Sequence, residues 1–489
     1  MPQEEKSIIR SLLDPTIALD EMSYEDIEEG TNNGYTERGD KESKNVGNNF
    51  PLIIINDYTV SEDETERMTI DSTGKVPTIA LTMNLQDQST FLSKSMPKDG
   101  DRINLFIRAR NDAFKPVRND YLITSVDTSK SQTESGDGMV VNLSGELFIP
   151  GFRDEAIRSK QGTTYDVLFE IAEDLGLGFA TNEDATEDEQ IWICANEGYR
   201  NYLNHICDAA WKNEESFYEW YIDIYYHLNF VNINNQFSNS TEIDDALLDT
   251  LLSDDTKQGE EISTATDKKL FTNIQDKRGT PMFIKRYKIV NESSEISNVL
   301  GYKMHCEFFE QNSLQKWDLY AEPMIVPGSE EDKILLKGRA GEDYYRTQIK
   351  RRWSGVQYSL PEHNVHEKYL FSRIHNLMNF GEIGKMQVHI EVPRANFNIY
   401  RGERIPCIFI ATGDPIKSNL LQQEAEKEAG GEDPNFAVPG APTLDKFYTG
   451  FYMIRGMIFS YETANPQDPE NRGHFTEDVI LARREWPTP

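Results

Sequence analysis

Hydrophobic and polar positions alternate with a period of two over much of this chain, which predicts a protein built mainly of β-strands. Apolar runs at Leu52–Ile55 and Thr78–Leu85 predict two early strands. The longest alternation covers 218–230, where every even position is apolar or aromatic. It predicts a long strand, or in part a hairpin, with one buried face. The other face carries Tyr221 and Tyr225, which are therefore candidates for packing on a neighbouring subunit.

A pattern of turn, strand, gap, strand, gap, strand occurs twice, once towards each end of the chain. Each copy opens on a glycine, an acidic residue and an arginine, followed by a strand that begins with isoleucine. Two further apolar segments follow in the same order, at 121–127 and 140–147 in the first copy and at 452–458 and 479–483 in the second. The copies are predicted to be similar β-modules, and their turns are candidate contacts with subunits or partners: Gly100, Asp101, Arg102, Gly402, Glu403 and Arg404.

Between the two copies the apolar spacing changes to that of α-helices. Thr164 is the expected cap of a helix that Gly176 ends. Further helices are predicted from 199 to about 211 and from 363 to 380. The expected fold class is α+β, mainly β, with two antiparallel β-barrel modules flanking an α+β middle region.

Composition and pattern divide the chain into six predicted regions. They are an acidic N-terminal arm (1–48), a first β-barrel (49–150), an α+β domain (151–236), an acidic insertion (237–278), strands and a helix that continue the middle domain or the second barrel (279–380), and a second β-barrel (381–489) with a loop insertion at 418–446.

The composition excludes several classes of protein. The 489 residues contain 38% hydrophobic residues, enough for real cores, and no apolar run of the length that spans a membrane. The acidic N-terminus is not that of a signal peptide, so synthesis in a cytoplasm is expected. The cysteines are far apart, which favours buried thiols over disulfides or a zinc site: Cys194, Cys207, Cys306 and Cys407.

The net charge of −33 disfavours binding to free nucleic acid. Plain solubility accounts for such a charge. An acidic surface that DNA slides past without sticking is also compatible with this charge, but plain solubility is the favoured explanation.

The candidate chemistry is sparse. His363 and His366 lie three apart beside Glu367, which suggests a metal site. His375 is one candidate third ligand, but nothing singles it out, and the order of these residues differs from that of known zinc hydrolase motifs. Capping and surface roles are the favoured interpretation. Residues 71–76 resemble the end of a phosphate loop, but Val76 follows the lysine where Ser or Thr is needed, so a tight turn is expected. No catalytic, cofactor-binding or metal-binding residue is predicted.

Four stretches in this order resemble the baseplate hub proteins of contractile-tailed phages, whose relatives include late control proteins of temperate phages and the lower half of type VI secretion spikes. The stretches are the first module with its turn at Gly100, the helix at 165–177, the segment 217–223, and the closing segments 450–457 and 475–483. Together they span most of residues 50–485.

The resemblance implies a homotrimer with two tube-like barrels per chain, arranged in a pseudo-sixfold ring. Such a ring lies between a hexameric tail tube protein and a trimeric central spike protein, among other baseplate proteins. DNA passes through its lumen as transient cargo, and no cofactor is implied. The implied location is the tail baseplate of a virion, after synthesis in the cytoplasm of the host bacterium. The alternatives are a metal-dependent cell-wall hydrolase of the tail and a type VI secretion spike base.

Overall fold

The computed structural model describes residues 51–56, 58–85, 91, 96–98, 100–107, 116–133, 136–237, 271–273, 283–291, 303–309, 316–321, 345–350, 366, 368–383, 386–393, 395–411, 443–444, 448–463 and 474–483. The predicted acidic arm lies outside these residues, as do most of the 237–278 insertion and most of the 418–446 loop.

The described residues form twenty-three strands, one short 3-10 helix and four α-helices. The strands are β1 Leu52–Ile55, β2 Tyr58–Val60, β3 Thr65–Asp71, β4 Thr78–Leu85, β5 Arg102–Ile107, β6 Val117–Thr133, β7 Gly136–Leu147, β8 Ala156–Gly162, β9 Gly178–Thr181, β10 Gln190–Glu197, β11 Tyr218–Ile222, β12 His227–Asn232, β13 Phe271–Thr272, β14 Arg286–Asn291, β15 Lys303–Phe309, β16 Lys316–Ala321, β17 Tyr345–Lys350, β18 Met386–Val392, β19 Arg404–Ile408, β20 Ile410–Ala411, β21 Thr443–Leu444, β22 Gly450–Glu462 and β23 His474–Ala482. The helices are α1 Thr164–Asp174, α2 Tyr199–Asp208, α3 Ile233–Phe237 and α4 Tyr369–Ile383, and the 3-10 helix is Glu62–Glu64.

Thirteen of these strands form one sheet that contains both copies of the repeat. Its main path runs β14-β18-β23-β22-β3-β4-β7-β6-β5-β1-β2, and β19 adds to β22 and pairs in parallel with β13. Smaller sheets of two or three strands make up the rest, and α1, α2 and α4 belong to the middle region. The expected α+β, mainly β class is confirmed.

The two copies of the repeat share one strand register. Arg102 lies opposite Leu122 across β5 and β6. Arg404 lies opposite Met453 across β19 and β22, which is the same place in the second copy. Extending the comparison to the neighbouring strands gives five corresponding pairs: β3 and β14, β4 and β18, β5 and β19, β6 and β22, and β7 and β23.

The irregularities of the repeat are also duplicated. The register shifts between Ile123 and Ser125 in the first copy, and between Ile454 and Gly456 in the second. A bulge of this kind bends a strand at a fixed position. Identical placement of the bulge shows that the two modules share their curvature as well as their strand order.

The modules are joined to each other by a strand pair, called here the junction. In the junction β22 of the second module pairs antiparallel with β3 of the first, from Ile458 opposite Asp71 to Glu462 opposite Arg67. The hydroxyl oxygens of Thr69 and Ser460 lie 3.4 Å apart across it. Residues almost 400 positions apart in the chain are thereby neighbours in one sheet.

The predicted long strand at 218–230 is a hairpin in the structure. β11 and β12 pair antiparallel, a turn separates them, and β12 also pairs in parallel with β9. The expectation of one exposed face is wrong, because every residue of β11 is buried. One face packs on the helices of the middle region, and the other is covered by the modules.

The predicted helices are present with shifted ends. The cap of α1 is Thr163, whose side chain accepts from the N–H of Asp166, and not Thr164. Thr164 is buried, and its hydroxyl donates to Asp188 at 2.6 Å. The third predicted helix, α4, begins at Tyr369 and continues through Gly381 to Ile383. None of the helices in the described part of the chain has the length and apolarity needed to cross a membrane.

A buried carboxyl group lies on β23, the strand next to the junction. Glu477 of β23 is fully buried opposite Phe459, and its Oε2 accepts from the N–H of Asn396 at 3.0 Å. Burial raises the pKa of Glu477 to about 8, and Asp478 acts in the same direction against the Asn396 hydrogen bond. The folded protein therefore keeps this proton at a pH where the unfolded chain has lost it.

We expect Glu477→Gln to remove a pH dependence of stability. Because the folded pKa is raised from 4.5 to about 8, the wild type loses stability as the pH rises through this window, and the variant has no such group. The difference in free energy of unfolding should grow in favour of the variant by up to about 1.4 kcal/mol per pH unit. Urea titrations across the window measure it, with Glu66→Gln on the exposed side of β3 as the control. A difference that stays constant with pH would contradict the assignment.

Candidate functional site

The two turns of the repeat adopt the same conformation. Gly100 has φ +91° and Gly402 has φ +80°, values in the left-handed region that favours glycine. After the first turn, the N–H of Ile123 donates to the carbonyl of Asp101 at 2.9 Å. After the second, the N–H of Ile454 donates to the carbonyl of Glu403, also at 2.9 Å. The turns are therefore structural elements of the module, fixed to the strand beside them.

The arginines of the turns are also alike. The guanidinium of Arg102 stacks on the ring of Phe148, 3.7 Å from its centroid, and that of Arg404 lies 4.2 Å from the centroid of Phe451. Their surroundings differ, since Gly100 and Arg102 are exposed whereas Gly402 is buried. The first turn exposes its arginine on the surface of the chain. The second turn is covered by other residues of the same chain.

The second turn is covered by the two tyrosines that were expected on an exposed face. Tyr221 is 2% exposed and donates to the carbonyl of Arg401, and Tyr225 is 5% exposed and donates to the carbonyl of Phe397 at 2.9 Å. The prediction of exposure is wrong, because the second module folds back over this side of the hairpin. The two side chains dock the module onto the middle region of the same chain.

The turn of the hairpin also contacts the first module. The hydroxyl of Tyr226 accepts from the N–H of Asp120 at 3.0 Å, and Tyr226 itself has φ +60°. The N–H of Ile222 donates to the carbonyl of Lys75 at 2.8 Å. One hairpin thus contacts both modules, and it fixes their separation and relative orientation.

A buried group of charges lies where the three parts of the chain meet. This charge cluster consists of Glu219 of β11, Arg401 and Arg455 of the second module, and Lys75 of the first. The carboxylate oxygens of Glu219 accept from Arg401 and, at 2.7 Å, from Arg455, and Lys75 Nζ lies 3.6 Å away. Only Lys75 is appreciably exposed, at 30% of its side chain.

Arg401 extends the charge cluster to the turn between β3 and β4. Its Nη1 donates to the carbonyls of Ser72 and Thr73, at 3.2 and 3.0 Å, and also to that of Gly74. The same guanidinium lies 4.5 Å from the centroid of the Tyr221 ring. The phosphate-loop-like segment is the six-residue connection 72–77 between β3 and β4, longer than the expected tight turn. Three of its carbonyls bind a guanidinium of the other module.

The electrostatics of the charge cluster follow from its burial. Burial alone would raise the pKa of Glu219. The attraction of Arg401, Arg455 and Lys75 outweighs this effect and lowers the pKa to about 2. Burial lowers the pKa of Lys75 against the attraction of Glu219. A carboxylate without these cations would be costly to bury, so the cluster is stable only when all three parts of the chain are in place.

The histidines of the suspected metal site lie in different settings. His363 is outside the described residues. The ring of His366 lies 3.0 Å from the carbonyl of Ala209, and burial lowers its pKa. His375 is buried against Phe371, and burial lowers its pKa to about 4. Within the described residues, no three His, Cys, Asp or Glu side chains are placed to hold a metal ion.

The charge cluster left one weak signal in the sequence. Glu219 lies at an odd-numbered position of the alternating segment, on the face that the pattern assigns to solvent. Arg401 and Arg455 lie in a different region, beside its predicted turn and strand. A buried charge is detectable only once its partners are known. The arginine that directly precedes the Gly402 turn was the one available hint.

We expect Glu219→Gln to destabilise the protein strongly. The substitution keeps the shape of the side chain but leaves three cations without a buried counter-charge, which costs about 3–5 kcal/mol. Glu170→Gln, which removes a half-exposed partner of Lys160, is the matched control with a cost of at most about 1 kcal/mol. Urea unfolding measures both. Equal, small losses in the two variants would show that the charge cluster does not hold the modules.

The contribution of Glu219 should also disappear in acid. Because its folded pKa is about 2, below the ordinary 4.5, the contribution is complete above pH 4.5 and is lost as the pH falls towards 2. The difference in free energy of unfolding between wild type and Glu219→Gln should therefore shrink in that window. A difference that persists unchanged to the acid end would contradict the lowered pKa.

Alanine substitution of the two turn glycines should have unequal effects. Each costs roughly 1–2 kcal/mol for the left-handed backbone. A Cβ at Gly402 would also lie 2.6 Å from the hydroxyl of Tyr221, whereas one at Gly100 would meet nothing within 4 Å. Gly402→Ala should therefore lower the midpoint of thermal unfolding further than Gly100→Ala. Equal shifts would show that the second turn is not packed against the hairpin.

No protein-family model matches the chain, and no curated protein matches its sequence. Similar solved structures include the tail protein from Neisseria meningitidis MC58, with 11% identity, a TM-score of 0.44, and coverage of 88% of this chain and 96% of that one. Another is the 43 kDa tail protein of prophage MuSo2 from Shewanella oneidensis, with 9% identity, a TM-score of 0.45, and coverage of 89% and 98%.

A third similar structure is the Francisella PdpA-VgrG complex in its half-lidded form. The identity is 10% and the TM-score 0.39, and the match covers 99% of this chain and 64% of the other. These three similar structures are thus two tail proteins and a VgrG complex.

Proposed function

We propose that this chain is a structural component of a phage tail baseplate hub. In this proposal three copies form a ring with six similar modules, which connects a hexameric tail tube to a trimeric central spike and lets DNA pass. The observation that carries the proposal is the duplicated module. Both copies have the same strand order, register, bulge and turn, and the chain joins them in one sheet.

The junction has the geometry that a ring requires. It is heterologous, because β22 of one module meets β3 of the other, and the two strands occupy different places in the module. A heterologous contact that repeats generates a closed ring or an open helix. Two modules per chain then make a threefold assembly present six similar positions, which matches a sixfold tube on one side and a threefold spike on the other.

The charge of the chain supports the proposed passage of DNA. With a net charge of −33, the assembly repels a polyanion on average. Phosphate contacts dominate the affinity of proteins for DNA, and this chain offers 50 basic residues against 83 acidic ones. A wall of this kind lets transient cargo slide without adhesion.

The proposed role is structural and places the protein in the virion, at the tail baseplate. Its proposed partners are further copies of itself, the tail tube protein, the central spike protein and other baseplate proteins. The buried polar groups of the middle region fit this role. Glu219, Tyr221, Tyr225 and Tyr226 make contacts that hold the two modules in a fixed arrangement.

The mass of the purified full chain in solution tests this proposal. Native mass spectrometry or light scattering at micromolar concentration should show a species of three times the 56.2 kDa chain. A strictly monomeric chain at every concentration tested would contradict it. A stable dimer with a twofold axis would contradict it equally, since an isologous contact uses the same edge on both partners.

A further inference from the structure

We propose that the outer edge of β14 pairs with residues 127–131 of β6 in the next copy of this chain, in the register of the junction. This inference rests on the proposed ring and adds the residues that close it. The inference is drawn from the junction, because each strand of that pair has a counterpart in the other module.

The strand β14 occupies the place of β3. Arg286 lies opposite Glu391 of β18, as Arg67 lies opposite Thr82 of β4, and the register continues without a shift over the following four residues. Met68 and Ile70 of β3 therefore correspond to Tyr287 and Ile289 of β14. Counting from the shared bulge in the same way, Ser460 of β22 corresponds to Ser129 of β6.

The side of β6 that pairs with β5 corresponds to the side of β22 that pairs with β19 and β3. On one side of β22, β19 pairs with residues 450–453 and β3 then pairs with residues 458–462. On the same side of β6, β5 pairs with residues 117–122. Beyond residue 122 no described strand pairs with this side of β6, and the position equivalent to that of β3 is open.

The exposure of the side chains differs as a missing neighbour would require. Met68 and Ile70 are fully buried at the junction. Their counterparts are more exposed, Tyr287 at 39% and Ile289 at an intermediate level. Asp127, Thr128 and Ser129 of β6 are exposed as well. Pairing the two edges would bury the parts of Tyr287 and Ile289 that the chain leaves exposed, together with Thr128.

One charge pair fits the inferred register. Arg286 and Lys288 of β14 are exposed on a chain whose net charge is −33. In the inferred register Ser129 lies opposite Lys288 and Asp127 lies diagonal to it on the same face, within reach of a long side chain. Thr128 would lie opposite Ile289, in place of the Phe459–Ile70 pair of the junction.

Disulfide cross-linking of the full chain tests the register. The double variant Ser129→Cys with Lys288→Cys should give a covalent trimer on non-reducing gels after mild oxidation, because each copy supplies one cysteine to each neighbour. Thr69→Cys with Ser460→Cys, the equivalent pair inside the chain, has hydroxyls 3.4 Å apart and should give an intramolecular bond under the same conditions. That pair is the positive control.

Two further variants fix the interpretation. Ser129→Cys with Tyr287→Cys is offset by one residue and directs the thiols to opposite faces, so it should not cross-link. An equimolar mixture of the two single-cysteine chains should give covalent dimers only. A native trimer without the Ser129–Lys288 cross-link would overturn the register while leaving the proposed function intact. A monomer would overturn both, and an intramolecular bond in the double variant would overturn the contact between copies.

Discussion

The arrangement of this chain depends on a carboxylate that is buried where three separate segments meet. Glu219 comes from the middle region, Lys75 from the first module, and Arg401 and Arg455 from the second. An unpaired charge is costly to bury. A state in which only some of these segments are docked is therefore unfavourable. The charge cluster thereby makes the relative placement of the two modules an all-or-none property of the fold.

The same constraint explains why the two copies of one module differ at their surfaces. Gly402 is buried against Tyr221 because the second module closes over the hairpin, whereas Gly100 is exposed. Met68 and Ile70 are covered by β22 of the same chain, whereas no described strand lies beside Tyr287 and Ile289 in this way. The scaffold of the module is duplicated, and its surroundings within the chain are not. In the proposed ring, Tyr287 and Ile289 would gain the neighbouring strand that Met68 and Ile70 have within the chain.

The repeat and several of its strands were predictable from the sequence, and the interior contacts were not. Apolar runs located β1 and β4 to the residue, and the glycine–acid–arginine turns marked the two modules. Alternation also suggested that Tyr221 and Tyr225 face solvent, which is wrong because a distant segment covers that side. Periodicity reports the local amphipathicity of a strand, and it contains no information about a second layer from 180 residues away.

Cryo-electron microscopy of the purified assembly, reconstructed without imposed symmetry, tests the proposed ring most directly. Views down the axis should show six similar lobes, with true threefold symmetry that alternates first and second modules. Each pair of neighbouring lobes should be joined by strands, inside the chain through β3 and β22 and between chains through their counterparts. A particle with twofold symmetry, an open filament, or a ring in which the two modules of a chain occupy unlike radial positions would contradict it.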